Sequence, residues 1–336
     1  MEAKAIADNL VDANLTGHDS HGVARVPRYL QHVENGWMHF GRQAESLTDG
    51  GSFVLLEGHF GFGQTIGTQA IELGVTRARQ HGVSTIALRN AGHLGRIGAW
   101  AEQACANGLV SVHFVNVARS MLVAPAGAAE RRISTAPVCV GVPNAHGDDF
   151  LLDFATSRVA EGKALVALHG GPPLPPASLI DGDGRPTHDP RALYGETSSA
   201  AEPDPRAGPG ALTAMGDHKG SGLALACELL AGALTGSGTT GPGKGPYNGM
   251  LSFFVEPGRL DDGSDIPQAV STYIDFVRQA RPADEEHPVM IPGDPERMAQ
   301  TKRSVHGIPL ARGTWQSLVA AATKLGLGRE RIPQSK

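Results

Sequence analysis

The sequence predicts an α/β protein. Short apolar runs typical of strands alternate along the chain with longer segments of helical periodicity. Aliphatic residues are abundant, whereas aromatic residues make up only 5% of the chain, a composition that suits helices packed on a sheet. The 44 glycines and 23 prolines predict many turns and close backbone approaches. The 336 residues are enough for two domains or for one large domain with lobes.

The predicted elements are helices at both chain ends, with strands and helices alternating between them. Helices are expected over residues 2–15, 26–33, 65–80, 99–107, a segment ending near 168, 223–234, 266–281, 298–305 and 315–325. Strands are expected over residues 52–56, 83–88, 110–117, 138–142, 150–154 and 250–255. Residues 169–213 are rich in Pro, Gly, Asp and Ser, which predicts an irregular surface, lid or interface segment. The helix at residue 2 begins without a cap, so we expect a shortened N-terminus.

Composition also excludes several classes of protein. The formal charge of −5 and the lack of a basic run argue against a nucleic-acid partner. No apolar run approaches the roughly 20 residues that span a bilayer, and no charged-then-apolar leader opens the chain. The three cysteines lie far apart without a CxxC pattern, which suggests a reducing compartment. We therefore expect a soluble cytoplasmic protein that needs no membrane.

Residues 17–25 combine two imidazoles, a carboxylate, a hydroxyl and a guanidinium. His21 could exchange a proton near neutral pH, and Arg25 could hold a carboxylate through paired hydrogen bonds. If a helix begins just after His21, the two side chains lie four positions apart and can address one ligand. This pair suits a small organic acid. The alternative is an ordinary helix start with Asp19 or Ser20 as its N-cap.

The same segment also raises the hypothesis of a metal site at His18, Asp19 and His21. Zinc sites usually need three or four well-spaced ligands. Three residues within one four-residue turn seldom converge on an ion, so no metal is predicted.

A glycine pattern, Gly61-x-Gly63-x-x-x-Gly67, lies between a predicted strand and a predicted helix. It resembles a dinucleotide fingerprint, but its third glycine is misplaced. The next strand also ends in Arg89 and Asn90 rather than in an acid. We therefore interpret the pattern as a turn that packs a helix on the sheet.

Two further segments follow predicted strands, where α/β proteins often bind ligands. The first, residues 91–98, holds His93 and Arg96 among glycines; the alternative is a helix N-terminus with His93 exposed. In the second, Asp153 ends a strand and precedes two hydroxyl residues. It could bind a ribose or cap the next helix.

Residues 216–222 place Lys219 and three glycines at the start of a predicted helix. Open backbone amides, the positive helix end and a mobile cation together make an anion site. The segment is not a Walker A loop, because the Gly-Lys-Ser/Thr order and its upstream glycine are missing.

Five motifs occur in order: GHDSHGVARVPRY, AGHLGRIG, LLDFATSRVAEGKA, GDHKGSGLALACELLAGALTG and PGDPE. Together they resemble the malate/L-lactate dehydrogenase family, over about residues 2 to 327. The resemblance implies an α/β fold with a non-Rossmann nicotinamide-binding domain, and a homodimer with sites near the subunit interface. It implies a helical domain from both chain ends, residues 1–50 plus 266–336, that carries the His/Arg motif. Residues 51–265 then form the α/β nicotinamide- and substrate-binding region, with the long loop at 169–213.

The resemblance also implies roles for single residues. His21 matches the family's proton donor and acceptor, Ser20 its polar neighbour, and Arg25 a substrate-binding arginine. His93 matches a second active-site histidine, catalytic in some members, and Thr135 a substrate-contacting threonine. Cofactor-binding segments of the family are matched by Asp153, Phe154, Ala155, Lys219, Gly220, Gly293 and Asp294.

The implied reaction interconverts a small 2-hydroxy acid and its 2-oxo acid. Hydride moves between the substrate carbon and NAD or NADP while a histidine exchanges the hydroxyl proton. The arginine holds the substrate carboxylate so that the reacting carbon faces the nicotinamide. Malate, lactate, ureidoglycolate, sulfolactate and sugar acids share the groups that these motifs address.

Two positions bear on competing hypotheses. Lys163, also a candidate catalytic residue, matches a lysine of relatives that act on 2-oxo acids, where piperideine-type imine reductases carry an acid. It therefore favours a hydroxy acid over a cyclic imine. Residues 134–137 read Ser-Thr-Ala-Pro, where the family often has Gly-Thr-Asn-Pro, so a substrate contact is altered. The alternatives are an imine reductase of the same family and a catalytically silent, ligand-binding relative.

Overall fold

The computed structural model describes residues 1–168, 170–196 and 203–328. Its strands are β1 (Glu45–Asp49), β2 (Phe53–Glu57), β3 (Val83–Ala91), β4 (Val110–Ala118), β5 (Pro137–Val142), β6 (Phe150–Ala155), β7 (Leu179–Ile180), β8 (Pro186–Thr187), β9 (Ala211–Leu212) and β10 (Tyr247–Val255). Its α-helices are α1 (Glu2–Leu15), α2 (Val26–Glu34), α3 (Gly63–His81), α4 (Gly98–Cys105), α5 (Glu161–Leu168), α6 (Arg191–Tyr194), α7 (His218–Cys227), α8 (Ile266–Arg278), α9 (Asp294–His306) and α10 (Arg312–Lys324). A π-helix, Glu228–Leu234, continues α7 directly.

The central sheet has seven strands in the order β1-β2-β3-β10-β4-β5-β6. β2 and β3 run parallel, whereas the other neighbouring strands of this sheet run antiparallel. A doubly wound Rossmann sheet is instead built from parallel strands. The predicted α/β class with a non-Rossmann sheet is therefore confirmed.

The main core lies between this sheet and the helices α3 and α4. Ile66 and Ile71 of α3 pack with Ile86 and Phe254 of the sheet, and all four are fully buried. The first residue of α3 approaches another loop closely: a Cβ on Gly63 would lie 2.2 Å from the His93 carbonyl oxygen. Packing therefore requires a glycine at position 63, which accounts for this part of the glycine pattern.

A second apolar cluster covers the opposite face of the sheet, because side chains alternate between faces along a strand. Val115 of β4 belongs to the first cluster and Phe114 to the second. The second cluster also contains Leu179, Leu193 and Leu212, which come from the segment predicted as irregular.

The irregular prediction for residues 169–213 is therefore wrong in part. The segment contains α6 and the small sheet β8-β7-β9. Strands of only two residues leave no periodic pattern, and the surrounding prolines and glycines hide them. Residues 169 and 197–202 lie outside the described residues.

Several other boundaries also differ from prediction. β1 was not expected, because all five of its residues are exposed and it has no apolar run. α7 begins at His218 rather than at residue 223. The strand at 83–91 is longer than predicted, so it includes the Arg89-Asn90 pair.

Helices from both chain ends pack together, as predicted. Asp19 pairs with Arg303 of α9 at 2.7 Å, and Glu34 of α2 pairs with Lys324 of α10 at 2.5 Å. The division into residues 1–50 plus 266–336 and residues 51–265 stays a prediction, and residues 329–336 lie outside the described part of the chain. None of the helices described is both long enough and apolar enough to cross a bilayer.

Candidate active site

A cleft of about 1080 Å³ runs between the α1–α2 connection, the loop after β3, the end of β6 and the start of α5. It brings together predicted residues that are far apart in the chain: Ser20, His21, Arg25, His93, Thr135, Asp153, Phe154, Ala155 and Lys163. Four other predicted site residues do not belong to its lining: Lys219, Gly220, Gly293 and Asp294.

Residues 19–25 form two consecutive 3₁₀ turns before α2 begins. Asn14 at the end of α1 fixes both turns, since its Oδ1 accepts from Val23 N at 2.8 Å and its Nδ2 donates to Asp19 Oδ1 at 2.7 Å. Neither Asp19 nor Ser20 caps a helix with its side chain. The alternative of an ordinary capped helix start is therefore wrong.

His21 and His93 stack with ring centroids 5.6 Å apart and planes 17° apart. Ser20 Oγ lies 3.0 Å from His21 Nδ1, and Tyr29 Oη lies 2.7 Å from His93 Nδ1. Burial, helped by the positive charge of Arg25, lowers the pKa of His21 to about 3. The same two causes lower the pKa of His93 well below its usual value. Both rings are therefore neutral near pH 7, the form in which an imidazole can take a proton.

Arg25 lies between the backbone of Ser20 and the carboxylate of Glu161. Its Nε donates to the Ser20 carbonyl oxygen at 2.5 Å, and its Nη2 lies 3.9 Å from Glu161 Oε2. Arg28 Nη1 lies 3.7 Å from the same oxygen, and the Tyr194 hydroxyl donates to Glu161 Oε1 at 2.8 Å. Burial lowers the pKa of Arg25, and the nearby Glu161 opposes that shift. The long contact to Glu161 leaves Arg25 able to bind an incoming carboxylate.

Sequence reasoning missed Glu161, Tyr194 and Tyr29. Glu161 lies within the EGKA part of a motif that was recognised, two residues before Lys163. Tyr194 belongs to the segment predicted as irregular. Tyr29 ends the recognised motif GHDSHGVARVPRY, but neither motif by itself indicates that Tyr29 or Glu161 reaches the cleft.

Lys163 is exposed and lines the cleft on α5. Within the described ranges, its side chain has no hydrogen-bond or ion-pair partner. The start of α5 packs tightly on residues 19–25, because a Cβ on Gly162 would lie 2.6 Å from the Ser20 Cβ. α5 therefore carries Lys163 and contacts Ser20 at the same wall of the cleft.

Thr135 lines the cleft just before β5. Its carbonyl oxygen accepts from the Thr156 backbone N–H at 3.0 Å and from the Thr156 hydroxyl at 3.1 Å. Ala136, fully buried, has a φ of 26°, a conformation that asparagine adopts more readily than alanine. Ser134 Oγ donates to the buried Glu228 at 2.7 Å. This contact holds the altered Ser-Thr-Ala-Pro segment in place.

Asp153 lies in the cleft wall at the end of β6. Its Oδ2 accepts from the Gly98 backbone N–H at 2.7 Å, so it caps α4 and not the helix that follows it in sequence. Burial raises the pKa of Asp153, and the bond from Gly98 opposes the rise. The predicted cap on the next helix is therefore wrong.

Lys219 and Gly220 lie in the first turn of α7, with Lys219 exposed and Gly220 buried. Gly293 has a φ of 101° and precedes α9. Asp294 pairs with Arg278 at 2.8 Å. The cofactor role of these residues stays a prediction.

The three candidate metal ligands face different partners. His18 Nε2 lies 2.9 Å from Glu296 Oε1, Asp19 pairs with Arg303, and His21 faces Ser20. In the part of the chain that the structure describes, no three His, Cys, Asp or Glu side chains converge on one point suited to a metal.

Comparison with known proteins places this chain in a family. The family model described as malate/L-lactate dehydrogenase matches residues 1–319. The chain is 38% identical to hydroxycarboxylate dehydrogenase B of Escherichia coli K12, covering 99% of this chain and 90% of the relative. It is 31% identical to a Δ(1)-pyrroline-2-carboxylate/Δ(1)-piperideine-2-carboxylate reductase of Pseudomonas syringae pv. tomato, covering 94% and 88%. A solved E. coli structure of the malate/lactate dehydrogenase type has a TM-score of 0.90 at 38% identity, covering 98% of this chain and 90% of that one.

The fold, the cleft and these matches define the class of protein as a dehydrogenase, as predicted. The chain belongs to the malate/L-lactate dehydrogenase family, and the resemblance drawn from the five motifs is confirmed.

Proposed function

We propose that the protein interconverts a small 2-hydroxy acid and the corresponding 2-oxo acid, with NAD or NADP as hydride carrier. The observation that supports this most is the neutral His21–His93 stack beside Arg25 in one cleft. A neutral imidazole can take a hydroxyl proton, and a guanidinium can hold a carboxylate in a two-pronged contact. A 2-hydroxy acid carries these two groups on adjacent carbons.

The cleft also suits a nicotinamide dinucleotide. Its volume of about 1080 Å³ lies above the roughly 300–1,000 Å³ of ordinary ligand pockets, which leaves room for a cofactor and a small acid. The Asp153 carboxylate could accept from ribose hydroxyls, and Phe154 and Ala155 extend the same wall. When bound, the nicotinamide supplies the hydride acceptor or donor. Four further cofactor contacts are proposed. Lys219 and Gly220 are proposed on the family resemblance and on the anion-site pattern at the start of α7, and Gly293 and Asp294 on the resemblance alone.

His21 exchanges the substrate proton in this proposal. In alcohol oxidation, the low pKa of His21 keeps its ring neutral, so it can accept the hydroxyl proton. The carboxylate of either bound substrate, the 2-hydroxy acid or the 2-oxo acid, offsets the positive charge of Arg25. Since Arg25 is one of the causes that lower the pKa of His21, this neutralisation raises that pKa above its value in the free protein. The protonated ring needed for carbonyl reduction then becomes easier to form.

The remaining candidates position the substrate. Ser20 orients the His21 ring through the 3.0 Å contact with Nδ1. Arg25 binds the carboxylate, Thr135 contacts the substrate, and the exposed charge of Lys163 attracts it into the cleft.

A second candidate function is reduction of a cyclic imine. It is favoured by the 31% identity to the Pseudomonas syringae reductase over most of both chains. Lys163 opposes it, because the resemblance associates a lysine at that place with 2-oxo acid substrates. Imine reduction therefore ranks second.

A spectrophotometric panel tests the proposal. NADH and NADPH would each be offered with oxaloacetate, pyruvate, other 2-oxo acids and a cyclic imine, while the nicotinamide absorbance is followed. We expect oxidation of one cofactor with a 2-oxo acid. Turnover of the imine alone would establish the second candidate, and cofactor binding without any turnover would indicate a catalytically silent relative.

We further propose a homodimer that forms through α7 and the π-helix. Leu225, Leu229 and Leu234 are 47%, 59% and 67% exposed, and their spacing of four and then five residues follows one face as the helix widens. Exposed apolar patches of this kind mark association sites. Light scattering after gel filtration should show a dimer that Leu229→Glu dissociates, and a monomeric wild type would contradict the proposal.

The three buried, unpaired cysteines suit a reducing compartment, and we propose the cytoplasm.

A further inference from the structure

Tyr29 is a buried residue of α2 that contacts one of the two cleft histidines. It is 4% exposed, and its ring packs edge-on to Phe62 at 5.9 Å and 81°. Leu10 and Met38 complete the apolar cluster around it. These contacts hold the ring in place and direct its hydroxyl at His93 Nδ1, 2.7 Å away.

Gln64 Nε2 donates to Tyr29 Oη at 3.0 Å. A phenol oxygen can accept this bond and still donate its own proton, and His93 Nδ1 lies 2.7 Å from it. Burial raises the pKa of Tyr29 to about 12, so the phenol keeps that proton at neutral pH.

The direction of the Tyr29–His93 hydrogen bond decides the tautomer of His93. When Tyr29 donates, His93 Nδ1 carries no proton, and the single proton of the neutral imidazole lies on Nε2. In that tautomer the one free lone pair of the ring is engaged with Tyr29.

His21 differs from its stacked neighbour in this respect. Its Nδ1 faces the Ser20 hydroxyl at 3.0 Å, and a hydroxyl can rotate to donate or accept. The tautomer of His21 is therefore free to change during a proton transfer, whereas a Tyr29 hydroxyl that donates to His93 Nδ1 holds His93 in one tautomer.

We propose that Tyr29 is a positioning residue that holds His93 as the Nε2–H tautomer, so that His93 donates a hydrogen bond to the substrate oxygen and His21 exchanges the proton. This inference rests on the proposed function for its catalytic meaning. The arrangement of Gln64, Tyr29 and His93 can be measured without turnover.

The tautomer is measured on the whole wild-type protein labelled with ¹⁵N-histidine. Two-bond ¹H–¹⁵N correlation spectra at neutral pH distinguish protonated from unprotonated ring nitrogens, and the loss of one spin system in His93→Gln assigns the His93 signals. We expect a protonated Nε2 and an unprotonated Nδ1. A protonated Nδ1, or a charged ring, would overturn the inference.

Tyr29→Phe tests whether the tyrosine hydroxyl is responsible. The variant keeps the aromatic packing but removes the proton donor, so the two nitrogen shifts of His93 should move towards each other as both tautomers become populated. We expect kcat to fall by about 10- to 100-fold, the size found when a metal-ligating histidine loses the partner that orients it, with an unchanged KM for the cofactor. Tyr273→Phe is the matched control, because Tyr273 is 68% exposed, and it should change neither quantity. An unchanged His93 pattern in Tyr29→Phe would overturn the role of Tyr29.

Gln64→Met provides a second variant in case Tyr29→Phe does not fold. It removes the donor that occupies the Tyr29 oxygen, so that oxygen can accept from His93 Nδ1 instead. The His93 pattern should therefore shift in the same direction, and an unchanged pattern would overturn the inference. The predicted tautomer in a protein that reduces neither 2-oxo acids nor imines would overturn the proposed function alone. The opposite tautomer in an active dehydrogenase would overturn this inference alone.

Discussion

Residues 17–25 and residues 216–222 have similar chemistry but different places in the molecule. Each segment combines glycine, histidine, aspartate, serine and a cation. The first lines the cleft with His21 and Arg25. The second begins α7, and its Lys219 is exposed outside the cleft lining.

Neighbouring elements cause this difference. Asn14 of α1 holds the first segment through hydrogen bonds, and Gly162 of α5 packs against its Ser20. The surrounding protein desolvates the His21 imidazole, which lowers the pKa of His21. His218 in the second segment is exposed. Composition therefore predicts which groups suit a ligand, whereas burial by distant elements decides which of them meet it.

The largest expected effect comes from removing the His21 imidazole of the first segment. His21→Ala should lower kcat by about 100-fold or more, the usual contribution of a general acid or base, while cofactor affinity stays near normal. His218→Ala is the matched control and should keep wild-type turnover. Steady-state rates and a fluorescence titration with NADH or NADPH measure the two quantities. Unchanged turnover in His21→Ala would indicate that His93, and not His21, exchanges the substrate proton.

The next largest effect concerns the cation of the first segment. Arg25→Lys should raise KM for the acid substrate by about tenfold or more, because a hydrogen bond to a charged group contributes about 1.5–3 kcal/mol and a lysine cannot make the paired contact. KM for the cofactor should not change and serves as the internal control. If KM for the acid also stays constant, Arg25 does not hold the carboxylate.

The cation of the second segment should matter much less. Lys219→Met should raise the Kd of the cofactor by at most about fivefold, because an exposed charge pair contributes about 0.2–1 kcal/mol, and added salt should reduce the difference. Lys324→Met is the control, since Lys324 pairs with Glu34. A rise of about 100-fold in the Kd of the cofactor would show that the second segment contributes to ligand binding as strongly as the first. No rise would show that Lys219 is not part of the proposed cofactor site.

The smallest expected change is in the pH profile of the oxidation. An ordinary histidine with a pKa near 6.5 would lose roughly thirtyfold of its base form at pH 5. The pKa of His21 is lowered to about 3, so its base form persists as pH falls, and kcat/KM for the hydroxy acid should stay flat from about pH 8 to about pH 5. An inflection near pH 6.5 would show that the base is not desolvated.

The sequence alone predicts the parts that depend on local pattern. Apolar runs such as those of β4 and β10 and the helices at both ends were found from periodicity. The first segment was found because two imidazoles, a carboxylate, a hydroxyl and a guanidinium lie within nine residues. β1 was missed, because its five residues are all exposed.

The rest of the site depends on contacts between distant residues. Tyr29 and His93 are 64 positions apart, and Tyr194 is 33 positions from Glu161. The carboxylate of Asp153 caps α4, which lies 55 residues earlier in the chain. A local pattern contains no information about such pairs, because they exist only once the sheet and the helices have assembled.

A crystal structure with a nicotinamide cofactor and a non-reactive analogue of a 2-oxo acid, such as oxamate, tests the central claim most directly. We expect the carboxylate of the analogue within hydrogen-bond distance of Arg25, with its carbonyl oxygen facing His21 and His93. An analogue bound beside Lys219, or in the cleft without contact to Arg25 and His21, would contradict the account.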